Sequence, residues 1–339
     1  IILSSYILNY LFHIVIARLL GASEYGLFNL ITSYVVVLTT FCLFGFDSTI
    51  VRYLSSYAAL KKFDLYYGVL KFTSQIVLAC TLIVVIFYLS IVIHSFSHLY
   101  LNFPYILAIF LLINSVLFKL FFAYFRSIKL FLAAQLPELT LFPLITILLI
   151  ILYRTYITKT LNCSTVIISQ IFSSSIILIF LALYAVKTFP YKNKKVILDF
   201  QYKEWIAFSG TMIFVSGIKI IIGRIDTIML GHLNSIESVG IYYVATKLSI
   251  LVTFGLIAGN IIIAPYLSEY ITNNETAKLQ KIISISSTIG FIVGITIYLV
   301  FWFFNLHFLK LFGSEFVNSE MCLKILSTGY LINMFIGPV

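Results

Sequence analysis

Residues Ile76 to Val92 read IVLACTLIVVIFYLSIV, without one charged side chain. The hydrocarbon core of a bilayer is about 30 Å thick and takes about 20 apolar residues of helix to cross. The quoted stretch belongs to an apolar run, 68–92, that is long enough. It far exceeds a barrel strand in length and lacks strict alternation. A membrane-spanning helix is the expected state.

The same ruler applied to the rest of the chain gives ten spans: 1–19, 28–50, 68–92, 103–125, 131–153, 164–186, 205–230, 238–264, 283–306 and 320–339. Of 339 residues, 61% are hydrophobic and only 10% charged. An ordinary globular domain carries about a quarter charged residues. A soluble core of this size could not hide so much apolar surface. The expected fold class is an all-α integral membrane bundle with about ten transmembrane helices. Both ends of the sequence, Ile1 and Gly337-Pro338-Val339, fall inside apolar runs, so the chain is read as a fragment.

The net charge of +10 does not point to nucleic acid, which needs basic residues on one solvated face. Here the basic residues sit mainly in short loops, and their distribution is an insertion signal. Loops after even-numbered spans hold thirteen: Arg52, Lys61, Lys62, Lys71, Arg126, Lys129, Lys187, Lys192, Lys194, Lys195, Lys203, Lys278 and Lys281. The opposite loops hold four: Arg18, Arg154, Lys159 and Lys310. Even-to-odd loops are therefore expected in the cytoplasm, together with the N-terminus, in a multi-pass cell (plasma) membrane protein. Cys42, Cys80, Cys163 and Cys322 match no metal or redox spacing and read as small hydrophobes.

An internal repeat organises the spans. RYLSSY (Arg52–Tyr57) returns as PYLSEY (Pro265–Tyr270), 213 residues later. LLGASEYGLF (Leu19–Phe28) returns as MLGHLNSIESVGIY (Met229–Tyr242), with Gly26 matching Gly240 at an offset of 214. The offset covers six spans, an even number, so the copies share one orientation, as in transporters built from parallel repeats. The expected organisation is an N-terminal six-helix bundle over 1–186, a basic cytoplasmic linker over 187–204, and an incomplete four-helix bundle over 205–339.

ARLLG (Ala17–Gly21), ASEYGLF (Ala22–Phe28) and GFDSTIVRYLSSY (Gly45–Tyr57), with RIDTIMLG, SVGIYYVATKLS and APYLSEY in the second half, resemble the polysaccharide and lipid-linked oligosaccharide flippases. These belong to the multidrug/oligosaccharidyl-lipid/polysaccharide exporter superfamily. The resemblance implies two bundles and alternating access about a central cavity. It implies an anionic lipid-linked glycan as substrate, with membrane lipids and glycan assembly machinery as partners. The family normally has twelve or fourteen spans, so C-terminal spans are expected to be missing.

Charge inside a bilayer costs a few kcal/mol or more per group, which makes such residues candidates. Lys247 lies about 13 Å into span eight at 1.5 Å per residue, with Tyr243 on its side of the helix. The resemblance sets it near a cavity arginine of the lipid II flippases, whose YYADR corresponds to YYVATK here. Lys219 and Asp226, seven residues apart, share a face of span seven, with Asp226 and Arg224 near the outer end. Arg18 closes span one as a topology anchor, and by resemblance matches a basic residue at the cavity mouth. Asp47 lies in the inner half of span two, with Arg52 roughly in reach. Glu138, beside Pro137 and Pro143 in a span expected to kink, reads as a cation or proton site or as a paired core carboxylate. Lys119 and Lys324 read as snorkelling near helix ends.

The cationic cavity set is therefore Lys247, Lys219, Arg18 and Arg224, and the ion-coupling candidates are Asp226, Glu138 and Asp47. By resemblance, Asp226 falls where the lipid II flippases hold a sodium ligand. No cofactor is expected beyond a coupling cation, Na+ or H+. A surplus of positive charge favours an anion. His94 and His98 could pair on a metal but read as polar loop, and no phosphate loop, zinc motif or nucleophile elbow appears. The competing readings are a drug or small-molecule antiporter of the same superfamily and a membrane glycosyltransferase or polymerase.

Overall fold

The computed structural model describes residues 2–95, 99–157, 160–189, 198–257, 259, 263, 270 and 275–336. These residues are mostly helical, with no strand among them. Eight stretches are long and apolar enough to cross a membrane: Ile7–Leu43, Phe63–His94, Phe103–Ser127, Phe131–Tyr156, Cys163–Thr188, Tyr202–Ile222, Ile236–Ile257 and Thr276–Phe312. Spans one and two are two helices that meet at a kink at Gly21 within α1 (Ile2–Leu43). Span ten corresponds to α12 (Glu320–Ile336).

The other helices are α2 (Phe46–Ala59), α3 (Phe63–Ser95), α4 (Leu99–Ser127), α5 (Phe131–Leu136), α6 (Phe142–Tyr156), α7 (Cys163–Thr188), α8 (Tyr202–Ile222), α9 (Ile225–Leu233), α10 (Ile236–Ser249) and α11 (Thr276–Phe312). PYLSEY lies outside the described residues except for Tyr270, as do Lys159, His98 and the heart of the basic linker, residues 190–197. The chain packs as two compact units, one of residues 1–20 and 27–235, the other of 21–26 and 236–339.

In the first unit, α2 packs on α3, α4 and α8, and α4 and α6 pack on α7. The RYLSSY stretch makes the α2–α8 junction. The Arg52 guanidinium lies 4.4 Å from the centroid of Phe208. The Tyr53 ring meets Phe208 edge-on. Tyr57 O–H donates to Gln201 Oε1 at 2.7 Å and accepts from Trp205 Nε1–H at 3.1 Å. Trp205 is fully buried. A buried indole N–H needs an acceptor, and the tyrosine supplies it.

Helices end where the sequence cannot continue them. Phe44 and Gly45 both take positive φ, so α1 stops at Leu43 and a separate α2 begins. Gly45 is required twice, since a Cβ there would lie 2.3 Å from the Ser209 carbonyl oxygen. The ends of α2 and α4 close alike. Lys61 and Lys129 sit at φ 57° and 63°, and the next residues, Lys62 and Leu130, donate back to the carbonyls of Tyr57 and Phe125. This is a Schellman closure with lysine where glycine is usual.

In the second unit, α10 packs on α12 and on a 3₁₀ turn, Ser314–Ser319, and α11 packs on α12. Ala22 N–H donates to the Glu315 carboxylate at 2.6 Å just past the Gly21 kink. The repeat-related glycines Gly26 and Gly240 meet. A Cβ on Gly26 would lie 2.0 Å from the carbonyl oxygen of Ile236, and one on Gly240 would lie 2.2 Å from that of Ala22. Ile236 precedes Gly240 by four residues, as Ala22 precedes Gly26. The contact is thus self-reciprocal, as across a two-fold axis.

Candidate functional site

The first unit holds a cavity of about 420 Å³, lined from α1, α2, α4, α6, α7 and α8. Four charged side chains reach it: Asp47, Lys119, Glu138 and Arg224. Among its other lining residues are Thr39, Thr40, Ser115, Ser174 and Ser216. Apolar walls come from residues such as Val36, Leu43, Leu111, Phe118 and Phe142.

Glu138 owes its place to two prolines. Pro137 opens a π-helical turn, Pro137–Leu141, between α5 and α6. Phe142 N–H donates to the Pro137 carbonyl, a bond five residues long. Pro143 has no N–H to offer Leu139, so the α-helical bond at that step cannot form. The kink expected between these prolines therefore takes the form of a wide turn, a feature that recurs at functional sites. Glu138 rides on it and accepts from Lys119 Nζ at 2.6 Å. Both side chains remain partly exposed.

Lys119 reads from the sequence as snorkelling, because counted along its own helix it lies near an end. Its partner is on another helix, and only packing brings them together. Lys324, read the same way, pairs with Glu320 at 2.7 Å one turn earlier and lies over the Trp302 ring. Asp47 moves from the expected inner half of a span to the first turn of α2, because the helix breaks at Gly45. Arg52 does not pair with it, since its guanidinium lies over Phe208 and Tyr53.

Span seven is also broken. α8 ends at Ile222, Arg224 is non-helical, and α9 starts at Ile225. The helical spacing of Lys219 and Asp226 therefore does not run through. Lys219 is exposed three residues before the end of α8. Arg224, at the break, lines the cavity. Asp226 is exposed, and its carboxylate accepts from Thr227 N–H at 3.0 Å. Arg18 is exposed three residues before the Gly21 kink. Lys247, in the second unit, is half-buried with its ammonium 5.5 Å from the centroid of the buried Tyr243 ring. A 3₁₀ segment, Ile250–Thr253, follows α10 directly. The structure brings Asp47, Glu138 and Arg224 around one cavity together with Lys119. Lys219, Asp226 and Arg18 do not line it. No group of three or more His, Cys, Asp or Glu that could hold a metal occurs among the described residues.

The fold is that of a known transporter. A multidrug resistance MATE family transporter of the MOP superfamily, solved in an inward-facing conformation, superposes with a TM-score of 0.73. The match covers 98% of this chain and 78% of that one at 15% identity. No curated protein matches the sequence. The sequence pattern of the polysaccharide biosynthesis protein family matches residues 1–271. The chain belongs to the polysaccharide biosynthesis protein family.

Proposed function

We propose that the protein is a flippase for a polyprenyl-pyrophosphate-linked oligosaccharide or polysaccharide repeat unit, moving it from the cytoplasmic to the outer leaflet of the cell membrane by alternating access. Membership of a polysaccharide biosynthesis family carries this reading. The apolar tail stays in lipid, while Lys and Arg side chains take the pyrophosphate through charge-assisted hydrogen bonds. Lys247 is the leading candidate, because its ammonium is half-buried against an aromatic face, where a bound phosphate would meet little competing water. Lys219, Arg18 and Arg224 are further cationic candidates. Asp226, Glu138 and Asp47 are candidates for coupling to Na+ or H+.

The fold likeness to a multidrug resistance transporter supports a second reading, an ion-coupled antiporter for cationic small molecules. Two carboxylates in the cavity suit a cation. Reconstituted vesicles separate the two. The flippase reading expects translocation of a fluorescent pyrophosphate-linked glycan, reduced about tenfold or more by Lys247→Ala and lowered by Lys219→Ala. Undiminished translocation by both variants removes those residues from the mechanism. Transport of a lipophilic cation, with none of the glycan, replaces the first reading by the second.

A further inference from the structure

The span Phe131–Tyr156 changes its packing partner at the π turn. Before the turn α5 packs on α4, and after it α6 packs on α7. Between α5 and α7 an open groove of about 460 Å³ remains. Ala133 and Pro137 form one wall, and Phe180, Leu183, Tyr184 and Lys187 line the other. These four recur at helical spacing, so they share one face of α7. Phe180 and Leu183 are exposed, as suits side chains that meet acyl chains rather than protein. The polar groups of the groove lie toward one end. Lys187 is in the last turn of α7, about 10 Å of helix beyond Phe180. The Tyr184 ring stacks on the buried Phe125 ring, centroids 5.5 Å apart, which ties this end to the close of α4. Arg126 follows Phe125, and Lys129 stands just before α5; both are exposed. Three cations therefore mark the end of the bundle that the charge rule assigns to the cytoplasm. Among the described residues Lys187 has no carboxylate partner.

We propose that this groove is a binding site for an acidic glycerophospholipid of the cytoplasmic leaflet, with an acyl chain along Phe180 and Leu183 and the phosphate at Lys187. Charge selects the class of lipid, because basic pockets between helices on the cytoplasmic side take anionic head groups. The Lys187 ammonium donates to the phosphodiester oxygens. Tyr184 sits at the level where aromatic rings with a polar tip meet the head groups. Pro137 borders the groove, while the next residue, Glu138, lines the inner cavity. The lipid thus touches the outer side of the turn whose inner side carries the ion pair with Lys119. The site does not depend on what the inner cavity transports.

The test is native mass spectrometry of the full chain in detergent, with phosphatidylglycerol or phosphatidylcholine of identical acyl chains. Wild type is expected to hold one phosphatidylglycerol at least about fivefold more tightly than phosphatidylcholine, the weight of about one lysine at a membrane surface. Lys187→Gln is expected to lose about that factor, and Lys187→Arg to keep it. Ala133→Phe fills the groove beneath an intact charge and is expected to weaken retention of both lipids. Leu132→Phe, at an exposed neighbour that does not line the groove, is expected to behave as wild type. Melting profiles in detergent report folding; if Ala133→Phe is not folded, the two Lys187 variants decide. Equal retention of the two lipids by wild type overturns the proposal. So does Lys187→Gln with its preference intact, or folded Ala133→Phe that binds like wild type. A dimer that Ala133→Phe dissociates, with no lipid retained, overturns it in favour of a second copy of the chain on this face.

Discussion

Tyr57 is the last residue of the RYLSSY stretch that marked the repeat, and its hydroxyl is the hinge of a three-residue hydrogen-bond chain, Trp205 to Tyr57 to Gln201. Tyr57→Phe keeps the ring and removes the oxygen. It leaves the N–H of a fully buried indole without its acceptor, which costs about 1–3 kcal/mol. The expected outcome is a lower melting temperature in detergent with unchanged helix content by circular dichroism. A melting point equal to wild type would mean that water replaces the hydroxyl. At this scale the sequence was legible as pattern and illegible as contact. RYLSSY stood out because it recurs, but nothing in its letters says that Arg52 lies over Phe208 or that Tyr57 meets a tryptophan 148 residues away. Lys119 and Glu138 were each visible as charges in apolar runs. Their pairing depends on how two helices pack, and a spacing rule sees one helix only.

At the scale of the element, apolar run length located nearly every span, because the cost of exposing backbone to lipid forces long unbroken helices. What the runs concealed were the breaks. Gly45, the Gly223–Arg224 step and the Pro137–Leu141 turn all sit inside stretches whose hydropathy reads as continuous, yet each re-aims a charged residue: Asp47, Arg224 and Glu138. The Schellman closures at Lys61 and Lys129 give a testable balance. Lysine at positive φ costs about 1 kcal/mol relative to glycine, while its charge next to a helix C-terminus recovers part of that. Lys61→Gly and Lys129→Gly are each expected to raise stability by about 0.5 kcal/mol, seen as a small rise in melting temperature. Together they are expected to weaken the insertion bias, seen as a minor population of inverted molecules in a protease-protection assay. Correctly oriented, less stable variants would show that the charge, not the backbone, decides stability at these turns.

For the whole molecule, orientation is the property most open to direct measurement. Lys61 and Lys62 after α2, Arg126 in the last turn of α4 and Lys129 just beyond it mark one side, and the charge rule sets it in the cytoplasm. With the four native cysteines replaced, a single cysteine at Lys62 or Lys129 is expected to resist a membrane-impermeant maleimide in intact cells and to react after permeabilisation. One at Thr155, on the opposite side by the same rule, is expected to react in intact cells. The reverse pattern overturns the assigned topology. The family and the fold, in contrast, were legible before any coordinates, through composition, run length and the repeat, because those are collective properties that no single contact decides.

The Gly26–Gly240 contact has a consequence for how such a chain arose. A half-length ancestor acting as a pair would have offered the same glycine from both partners, and any mutation there would have struck both sides of the crossing at once. In a single chain the two sides are encoded separately. Each glycine sits among its own neighbours, Ala22 with Tyr25 at one and Ile236 with Val239 at the other, and the close backbone approach restricts both positions to glycine. Drift elsewhere in either half is free to build a different wall, provided that this one close approach is kept.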